Sequence, residues 1–191
     1  MTVAELPMEL PVAEKLFLDG PLPLPAVERE AEAPPRGLAI ICYSGDLEKT
    51  WAAMILASTA GAMDMPCRVF VTFWGLQTFV KDDRRITGET WMQKMLALMQ
   101  RPGISHRKLS HMNFLGMGPW MMRQLAHRYN VASPKELLEA AQAMGVEFIP
   151  CQMTMDMFGL KREDLIDGMG EPVGAATYLS YVGEGSAPLF I

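Results

Sequence analysis

Residues 38–46 read LAIICYSGD, an unbroken apolar run that ends in a turn. Six consecutive apolar side chains are typical of a parallel strand that is covered on both faces. The turn formed by Ser44, Gly45 and Asp46 leads into a helix predicted over about 46–63, and the Asp46 carboxylate or the Ser44 hydroxyl is expected to cap its free amides. A buried strand followed directly by a helix favours an α/β fold.

The same alternation of strands and helices continues to the end of the chain. Its strongest signal is Ser133-Pro134-Lys135-Glu136, in which serine caps a helix, proline takes the first helical position and glutamate bonds back to the cap. Gly145 then ends that helix. Further strands are predicted at 68–73, 146–150 and 187–191, and further helices or helical turns at 89–99, from 154, from 161 and at 172–182. The pattern predicts a single three-layer α/β domain, a Rossmann-like and mostly parallel sheet of about five strands flanked by helices.

The composition is that of a globular chain with one domain. It has 191 residues, of which 50% are apolar and 20% charged, with a net charge of -5 and no basic block, so nucleic acid is not an expected partner. A signal peptide is not expected, because Glu5 and Glu9 stand where its positive region would be and no apolar run follows. A membrane span is not expected, because the most apolar window, 51–76, is interrupted by Asp64, Pro66 and Arg68. These features predict a cytoplasmic protein.

Two segments differ in composition from the rest of the chain. Residues 1–36 hold seven of the 14 prolines together with many acids, and they predict a proline-rich acidic N-terminal extension ahead of a domain at 37–191. Residues 101–122 contain four of the 17 methionines, and Gly116 and Gly118 give this stretch freedom to move. We expect either a lid or partner-docking loop over the candidate cysteine described next, or a methionine-packed contact between subunits.

The three cysteines are odd in number and lie far apart, so they match neither a disulfide framework nor the paired spacing of a zinc site. Cys42 lies inside a predicted strand and Cys67 starts another, where a small buried apolar role is usual. Cys151 instead follows a strand and precedes a helical turn, at the edge of a parallel sheet where ligands bind. The positive end of a helix favours thiolate, so Cys151 is the candidate nucleophile, and we expect it to be reachable from solvent.

The segment FIPCQMTMDMFGLKREDLIDG (148–168), together with FVTFWGL (70–76) and the apolar C-terminal strand, resembles the DsrE/DsrF-like family. The resemblance extends over 37–191 and is closest to a branch with a Cys-Gln-Met-Ser/Thr-Met-Asp motif. It implies a parallel sheet flanked by helices and a role in sulfur relay, in which Cys151 receives sulfane sulfur as a persulfide and passes it to another thiol. Pro150 departs from the motif, which more usually has a small non-proline residue before the cysteine.

The resemblance and the placement of Cys151 lead to a full set of expected site residues. Amides of Gln152, Met153 and Thr154 would cradle the sulfur, while Asp156 would cap the following turn. The Ser44-Gly45 turn would complete the partner-binding surface. The family implies a homo-oligomer that needs no cofactor, a rhodanese-like sulfur donor and a TusA-like acceptor, and it leaves open whether the protein is a sulfurtransferase or a stoichiometric carrier.

Other classes of function remain as alternatives. The sulfurs of Cys151, Met153, Met155 and Met157 alternate and would bind Cu(I) if that segment were extended. A non-enzymatic small-molecule or nucleotide site at the turn after the first strand would lack the glycine-rich phosphate motif. A zinc hydrolase is disfavoured by the spacing of the three histidines, and a thiol peroxidase by the absence of a well-placed second cysteine.

Overall fold

The computed structural model of the protein describes residues 37–83, 90–99, 102–182 and 186–191. The chain divides into two units, Met1–Pro34 and Pro35–Ile191, and only the second contains described residues. The predicted proline-rich extension at 1–36 therefore lies outside the described residues.

The described residues form a four-stranded, all-parallel sheet. Its strands are β1 (Gly37–Cys42), β2 (Cys67–Val71), β3 (Glu147–Pro150) and β4 (Ser186–Phe190), in the spatial order β3-β2-β1-β4. All four strands that the apolar runs predict are present within two residues of their predicted ends. The sheet has one strand fewer, within the described residues, than the count of about five that was expected.

Helices connect the strands and cover both faces of the sheet. Short 3-10 turns occupy Gln77–Phe79, Ile104–His106, Phe114–Gly116 and Arg162–Asp164. The helices are α1 (Leu47–Ala62), α2 (Phe73–Leu76), α3 (Trp91–Met99), α4 (Met117–Arg128), α5 (Pro134–Ala143), α6 (Gln152–Phe158) and α7 (Ala175–Val182).

The two faces of the sheet are packed against different amounts of protein. Side chains alternate between faces along a strand, so Ile40 and Cys42 of β1 join the larger core cluster with α1 and α5. Ala39 of β1 and Phe70 of β2 point the other way, into a smaller cluster that α7 covers with Tyr178. A sheet between two helical layers confirms the predicted three-layer α/β fold.

The two helix starts that the sequence singles out behave differently. At α5 the capping box is present, because the Ser133 hydroxyl accepts the Glu136 N–H at 3.3 Å and the Glu136 carboxylate accepts the Ser133 N–H at 2.7 Å. At α1 the predicted Asp46 cap is wrong, since its side chain bonds to no helix amide, whereas the Ser44 hydroxyl accepts the N–H of Asp46, the N-cap residue, at 3.2 Å. The Asp46 carboxylate instead accepts bonds from the Ser44 hydroxyl (3.0 Å) and the Lys49 ammonium (2.8 Å).

Strand β4 forms an edge of the sheet, and a proline protects it. The Ile191 N–H donates to the Ile41 carbonyl and the Ile191 carbonyl accepts the Tyr43 N–H, so the backbone of alternate residues faces β1. Pro188 belongs to the other set, whose backbone faces outward. Because proline has no N–H, this edge is a poor template for another strand.

Candidate functional site

Cys151 lies between the end of β3 and the start of α6, at the N-cap of that helix. Its N–H donates to the Val71 carbonyl of β2 at 2.9 Å, and its carbonyl accepts the Met155 N–H at 3.1 Å. The backbone of this residue is therefore fixed by the neighbouring strand on one side and by its own helix on the other. This placement at the carboxyl edge of the sheet is the one that the sequence predicts.

The expectation that Cys151 is reachable from solvent is wrong in this conformation. Cys151 is 3% exposed and packs in the smaller core cluster with Phe70, Ile149 and Tyr178. The cause is tertiary: α7 places Tyr178 over the sheet, where its ring stacks on Phe70 with 4.6 Å between centroids. A reagent reaches the thiol only when this cover moves.

The cover itself is thin. Five of the eight residues of α7 are exposed, and Tyr178 is its one fully buried side chain. Tyr181 adds a contact at the surface, because the Arg68 guanidinium lies 4.4 Å from the centre of its ring while donating to Glu147 at 2.9 Å. Gly174 precedes α7 with open space around it. One aromatic stack, one cation–π contact and the partly buried Tyr181 and Val182 thus hold the helix that hides Cys151.

Tyr178 is buried at a cost. Within the described residues its hydroxyl has no hydrogen-bond partner. Burial, with a smaller contribution from Cys67, raises the pKa of Tyr178 to about 12. The ring stabilises the cover while the hydroxyl weakens it, since an unpartnered buried polar group costs free energy.

The predicted amide cradle is only partly available. The Gln152 N–H already donates to the Val173 carbonyl at 3.0 Å, and the Gln152 side chain donates to Asp156 at 2.7 Å. Asp156 is the fifth residue of α6, so the predicted capping role for it is wrong. Met153 is 61% exposed on the outside of the same helix. The Gln152 N–H is therefore committed to Val173, and the Met153 side chain is directed to solvent.

Thr154 is fully buried and ties α6 to the end of β2. Its hydroxyl oxygen lies 2.9 Å from that of Thr72 and accepts the Phe73 N–H at 3.2 Å. Phe73 has a φ of 44°, in the left-handed region that bulky residues avoid. Thr154 therefore positions the loop after β2 and does not face a partner. The segment FVTFWGL contains these partners, although residue pattern alone does not connect them to Thr154.

Ser44 and Gly45 are not brought to Cys151. They follow β1, and β2 lies between β1 and β3 in the sheet. Ser44 is buried, and a Cβ on Gly45 would lie 2.7 Å from the Trp74 carbonyl oxygen and 3.0 Å from an Arg107 guanidinium nitrogen. Strand order, which the linear pattern does not reveal, thus separates the two loops that the sequence groups into one site.

The described part of 101–122 does not form the predicted lid over Cys151, while the alternatives, partner docking and a contact between subunits, stay predictions. The described part of this stretch contacts α1, because the Leu47 N–H donates to the Lys108 carbonyl at 2.8 Å and Ser110 donates to the Glu48 carboxylate. The cover over Cys151 comes from α7 instead. Arg107 is buried in this stretch, and burial lowers the pKa of its guanidinium while Asp82 and Asp46 oppose that shift.

The other two cysteines lie on the opposite face of the sheet. Burial raises the pKa of Cys42 to about 12 and that of Cys67 to about 11. Both belong to the larger core cluster under α1 and α5. The thiols of these residues stay protonated and enclosed, as expected for buried small side chains.

The alternative ligand sites find no support around Cys151. Met155 belongs to the larger cluster and Cys151 to the smaller one, while Met153 and Met157 are exposed, so the four sulfurs of the copper hypothesis do not share a face. That ligand set is wrong because 152–158 is a helix rather than an extended segment. A cavity of about 390 Å³ lies elsewhere, and among its lining residues are Val80, Leu138 and Ile166.

Known proteins resemble this chain over most of its length. Residues 36–190 match the DsrE/DsrF/DrsH-like family. The chain belongs to this family. It is 39% identical over 152 residues to an uncharacterized protein of Bacillus subtilis, YrkE, covering 80% of this chain and 94% of that protein. It is 36% identical over 157 residues to the sulfur carrier protein DsrE2 of Allochromatium vinosum, covering 81% and 97%.

Two solved structures from more distant proteins also match. The ychN protein of E. coli has a TM-score of 0.46 and 13% identity, and the match covers 81% of this chain and 99% of that one. Protein MTH1491 of Methanobacterium thermoautotrophicum has a TM-score of 0.40 and 14% identity over the same shares. Separately, no helix among the described residues is long and apolar enough to cross a membrane.

Proposed function

We propose that this protein is a sulfur-relay protein that carries sulfane sulfur as a persulfide on Cys151 and passes it to a partner thiol. Family membership and a relative named as a sulfur carrier support the relay role. The observation that carries the assignment to Cys151 is its place at the carboxyl edge of the sheet under one short helix. Cys42 and Cys67 lie instead beneath the larger core.

The chemistry is a pair of thiol exchanges. The Cys151 thiolate attacks the outer sulfur of a donor persulfide, so the bond between the two donor sulfurs breaks as the Cys151–sulfur bond forms, and the donor leaves as a thiolate. An acceptor thiolate then attacks the outer sulfur of the Cys151 persulfide and releases the Cys151 thiolate. One S–S bond replaces another at each step, so neither an oxidant nor a resident cofactor is required.

Exchange at Cys151 requires that α7 move away from the sheet. The movement breaks the Tyr178–Phe70 stack and the Tyr181–Arg68 contact, which are few compared with the packing of a whole core. Movement of α7 leaves β3 and α6, which fix the Cys151 backbone, in place. We propose that closed α7 shields the persulfide from water and reductants between transfers.

The resemblance extends the proposal to partners and assembly. We propose membership in the branch with the Cys-Gln-Met-Ser/Thr-Met-Asp motif, a rhodanese-like donor, a TusA-like acceptor, a cytoplasmic location and a homo-oligomer. Homo-oligomer formation is supported by exposed large apolar side chains outside residues 90–135, among them Ile55, Leu56 and Met63. Contact between subunits would not run through β4, whose outward edge carries Pro188.

Intact mass spectrometry after incubation with cysteine persulfide tests the assignment. We expect the wild type to gain one sulfur atom and to lose it to an added acceptor thiol. Cys151→Ala should gain none, whereas Cys42→Ala and Cys67→Ala should load normally. Loss of loading in Cys42→Ala or Cys67→Ala with normal loading of Cys151→Ala would move the carrier site, and absence of loading in the wild type would end the proposal.

A further inference from the structure

The charges along the chain are distributed unevenly. Residues 90–135, here called the acid-free segment, contain seven of the 17 Lys and Arg residues, all three His, and none of the 22 Asp and Glu residues. The rest of an acidic chain therefore carries every carboxylate. Such an asymmetry within one domain predicts a partner of the opposite charge.

The described part of the acid-free segment reaches the carboxyl edge of the sheet, since the Lys108 carbonyl accepts the Leu47 N–H just after β1 at 2.8 Å. At one end the Gln93 side chain of α3 donates to the carbonyls of Asp156 and Met157, at the end of the helix that Cys151 caps. At the other end the Ala132 carbonyl accepts the Trp51 ring N–H of α1, at 2.9 Å. Described parts of the segment thus contact both helices that begin at the carboxyl ends of β3 and β1.

Five of the seven basic side chains of this segment are exposed to solvent, while Arg107 is buried. Lys94, Lys108, Arg123, Arg128 and Lys135 are all exposed. Within the described residues none of these five forms an ion pair with a carboxylate. Their charge is therefore available to an incoming molecule.

Helix α4 adds an apolar stripe to the same surface. Met117, Met121 and Leu125 are spaced by four residues, so they share one side of the helix, and they are 56%, 50% and 49% exposed. Pro119 is the one buried residue of α4. A helix of twelve residues with so little packing is marginally stable by itself, because short helices depend on burial of one face.

The turn before α4 extends the apolar surface. Met112, Phe114 and Leu115 all have positive φ values, and all three side chains are largely exposed. Left-handed backbone is unfavourable for bulky residues, so the turn presents these side chains outward at a conformational cost. Exposed apolar side chains together with exposed positive charge in one segment are the composition of a protein-docking surface.

We propose that the acid-free segment is the docking surface for an acidic partner protein that exchanges sulfur with Cys151. The inference rests on the proposed function, because a protein partner brings the thiol that the exchange needs, which a lipid surface does not. A second copy bound through the same surface in a two-fold contact would place like charges opposite each other, which is unfavourable. An acidic surface with apolar side chains matches both features.

Competition between peptide persulfides tests this proposal. Three peptides share one persulfidated cysteine and the same leucines, and their remaining positions are all Glu, all Gln or all Lys. The Glu and the Lys peptides each compete with the Gln peptide for loading of Cys151, and mass spectrometry of the released thiol peptides gives the partition. Because both competitors meet the same open protein, the partition is independent of how slowly α7 moves.

We expect the Glu peptide to donate about tenfold more sulfur than the Gln peptide at low salt, and the Lys peptide less. The preference should disappear in about 1 M salt, where the Debye length is only about 3 Å. The double substitution Lys108→Glu, Arg128→Glu should remove it, because both side chains are exposed within the segment. Lys161→Glu, an equal charge reversal outside the segment, should leave it intact.

The outcomes separate this proposal from the proposed function. Loading from cysteine persulfide with equal partition among the peptides would overturn the docking surface and leave sulfur carriage in place. No loading from any donor would overturn both. Equal partition together with binding to phosphatidylglycerol vesicles that the double substitution abolishes would assign the surface to a membrane. Dissociation of an oligomer by the double substitution, measured by sedimentation, would assign it to a second copy and overturn the acidic partner.

Discussion

Cys42 and Cys151 are both buried, but the helices that cover them differ in number and length. Cys42 lies beneath α1 and α5, two helices of sixteen and ten residues that pack into the larger cluster. Cys151 lies beneath α7, which has eight residues and anchors itself through Tyr178. Equal burial therefore hides an unequal cost of exposure. The free energy needed to reach a thiol depends on how many contacts must break, and a single short helix offers few.

The largest expected effect is a difference in reactivity among the three native cysteines. Under native conditions we expect iodoacetamide to modify Cys151 at least about 100-fold faster than Cys42 or Cys67, because opening α7 costs less than opening the larger core. Peptide mapping at successive times measures the three rates. Equal rates would mean that all three thiols react through global unfolding, and the contrast between the faces would be lost.

Removal of the Tyr178 ring, which anchors α7, should increase the alkylation rate of Cys151 further. Tyr178→Ala deletes the one buried ring of α7 and should cost about 3–5 kcal/mol of unfolding free energy, while it accelerates alkylation of Cys151 selectively. Leu138→Ala, a buried change in α5 on the other face, serves as the matched control. If Leu138→Ala exposes Cys151 as strongly as Tyr178→Ala does, α7 is not an independent cover.

Tyr178→Phe distinguishes the ring from its hydroxyl. The ring stack with Phe70 is kept, and a hydroxyl without a partner in the described residues is removed. We therefore expect equal or higher stability, by up to about 1 kcal/mol, and slower alkylation of Cys151 than in the wild type. A clear loss of stability in chemical denaturation would show that the hydroxyl is hydrogen-bonded.

The buried thiol of Cys42 in the larger core should make the stability of the protein depend on pH in the alkaline range. Unfolded thiols ionise above about pH 8.5, whereas burial raises the pKa of Cys42 to about 12. The folded state then holds more protons between these values, so the free energy of unfolding falls as pH rises from about 9, by up to about 1.4 kcal/mol per pH unit for one such thiol. Below pH 8 this thiol contributes no pH dependence.

Denaturation of wild type and Cys42→Ala at pH 7.5 and at pH 10.5 isolates this effect. The decrease in stability at the higher pH should be smaller in Cys42→Ala, because the other alkaline groups are common to both proteins. A parallel decrease in the two proteins would show that Cys42 ionises in the folded state.

The smallest effect is expected at the start of α5. Ser133→Ala removes the hydroxyl that accepts the Glu136 N–H and should cost about 1 kcal/mol, while Ser133→Gly should cost only a few tenths. Neither substitution should change the alkylation rate of Cys151 relative to global stability, because α5 lies on the other face. A selective effect on Cys151 would reveal coupling between the faces.

Local signals made much of the fold predictable. The apolar runs at 38–43 and 146–150 predicted β1 and β3, and Ser133 with Glu136 predicted the start of α5, because each depends on interactions between near neighbours in the chain. The cap at Asp46 failed because its carboxylate had an alternative partner in Lys49. Local patterns of this kind do not rank competing partners.

The candidate site was predictable only in part. The strand-to-helix position of Cys151 follows from the sequence, but its burial beneath Tyr178, 27 positions later, does not. The separation of Gly45 from Cys151 depends on β2 lying between their strands. The absence of Asp and Glu from 90–135 is visible in the sequence itself. It is not detected as a basic block, because the Lys and Arg residues there are scattered.

By itself the sequence determined the order of the four strands and of most helices, although α2 and α4 were not predicted. It also determined the position of Cys151 at the end of a strand and the charge asymmetry. These properties depend on residue identity and on spacing over a few positions. Only the tertiary structure decided which loops meet, that α7 covers Cys151 while Cys42 and Cys67 lie under the larger core, and that the stripe on α4 faces solvent. Those outcomes depend on contacts between residues distant in the chain, and their free energy comes from burial that no single segment achieves alone.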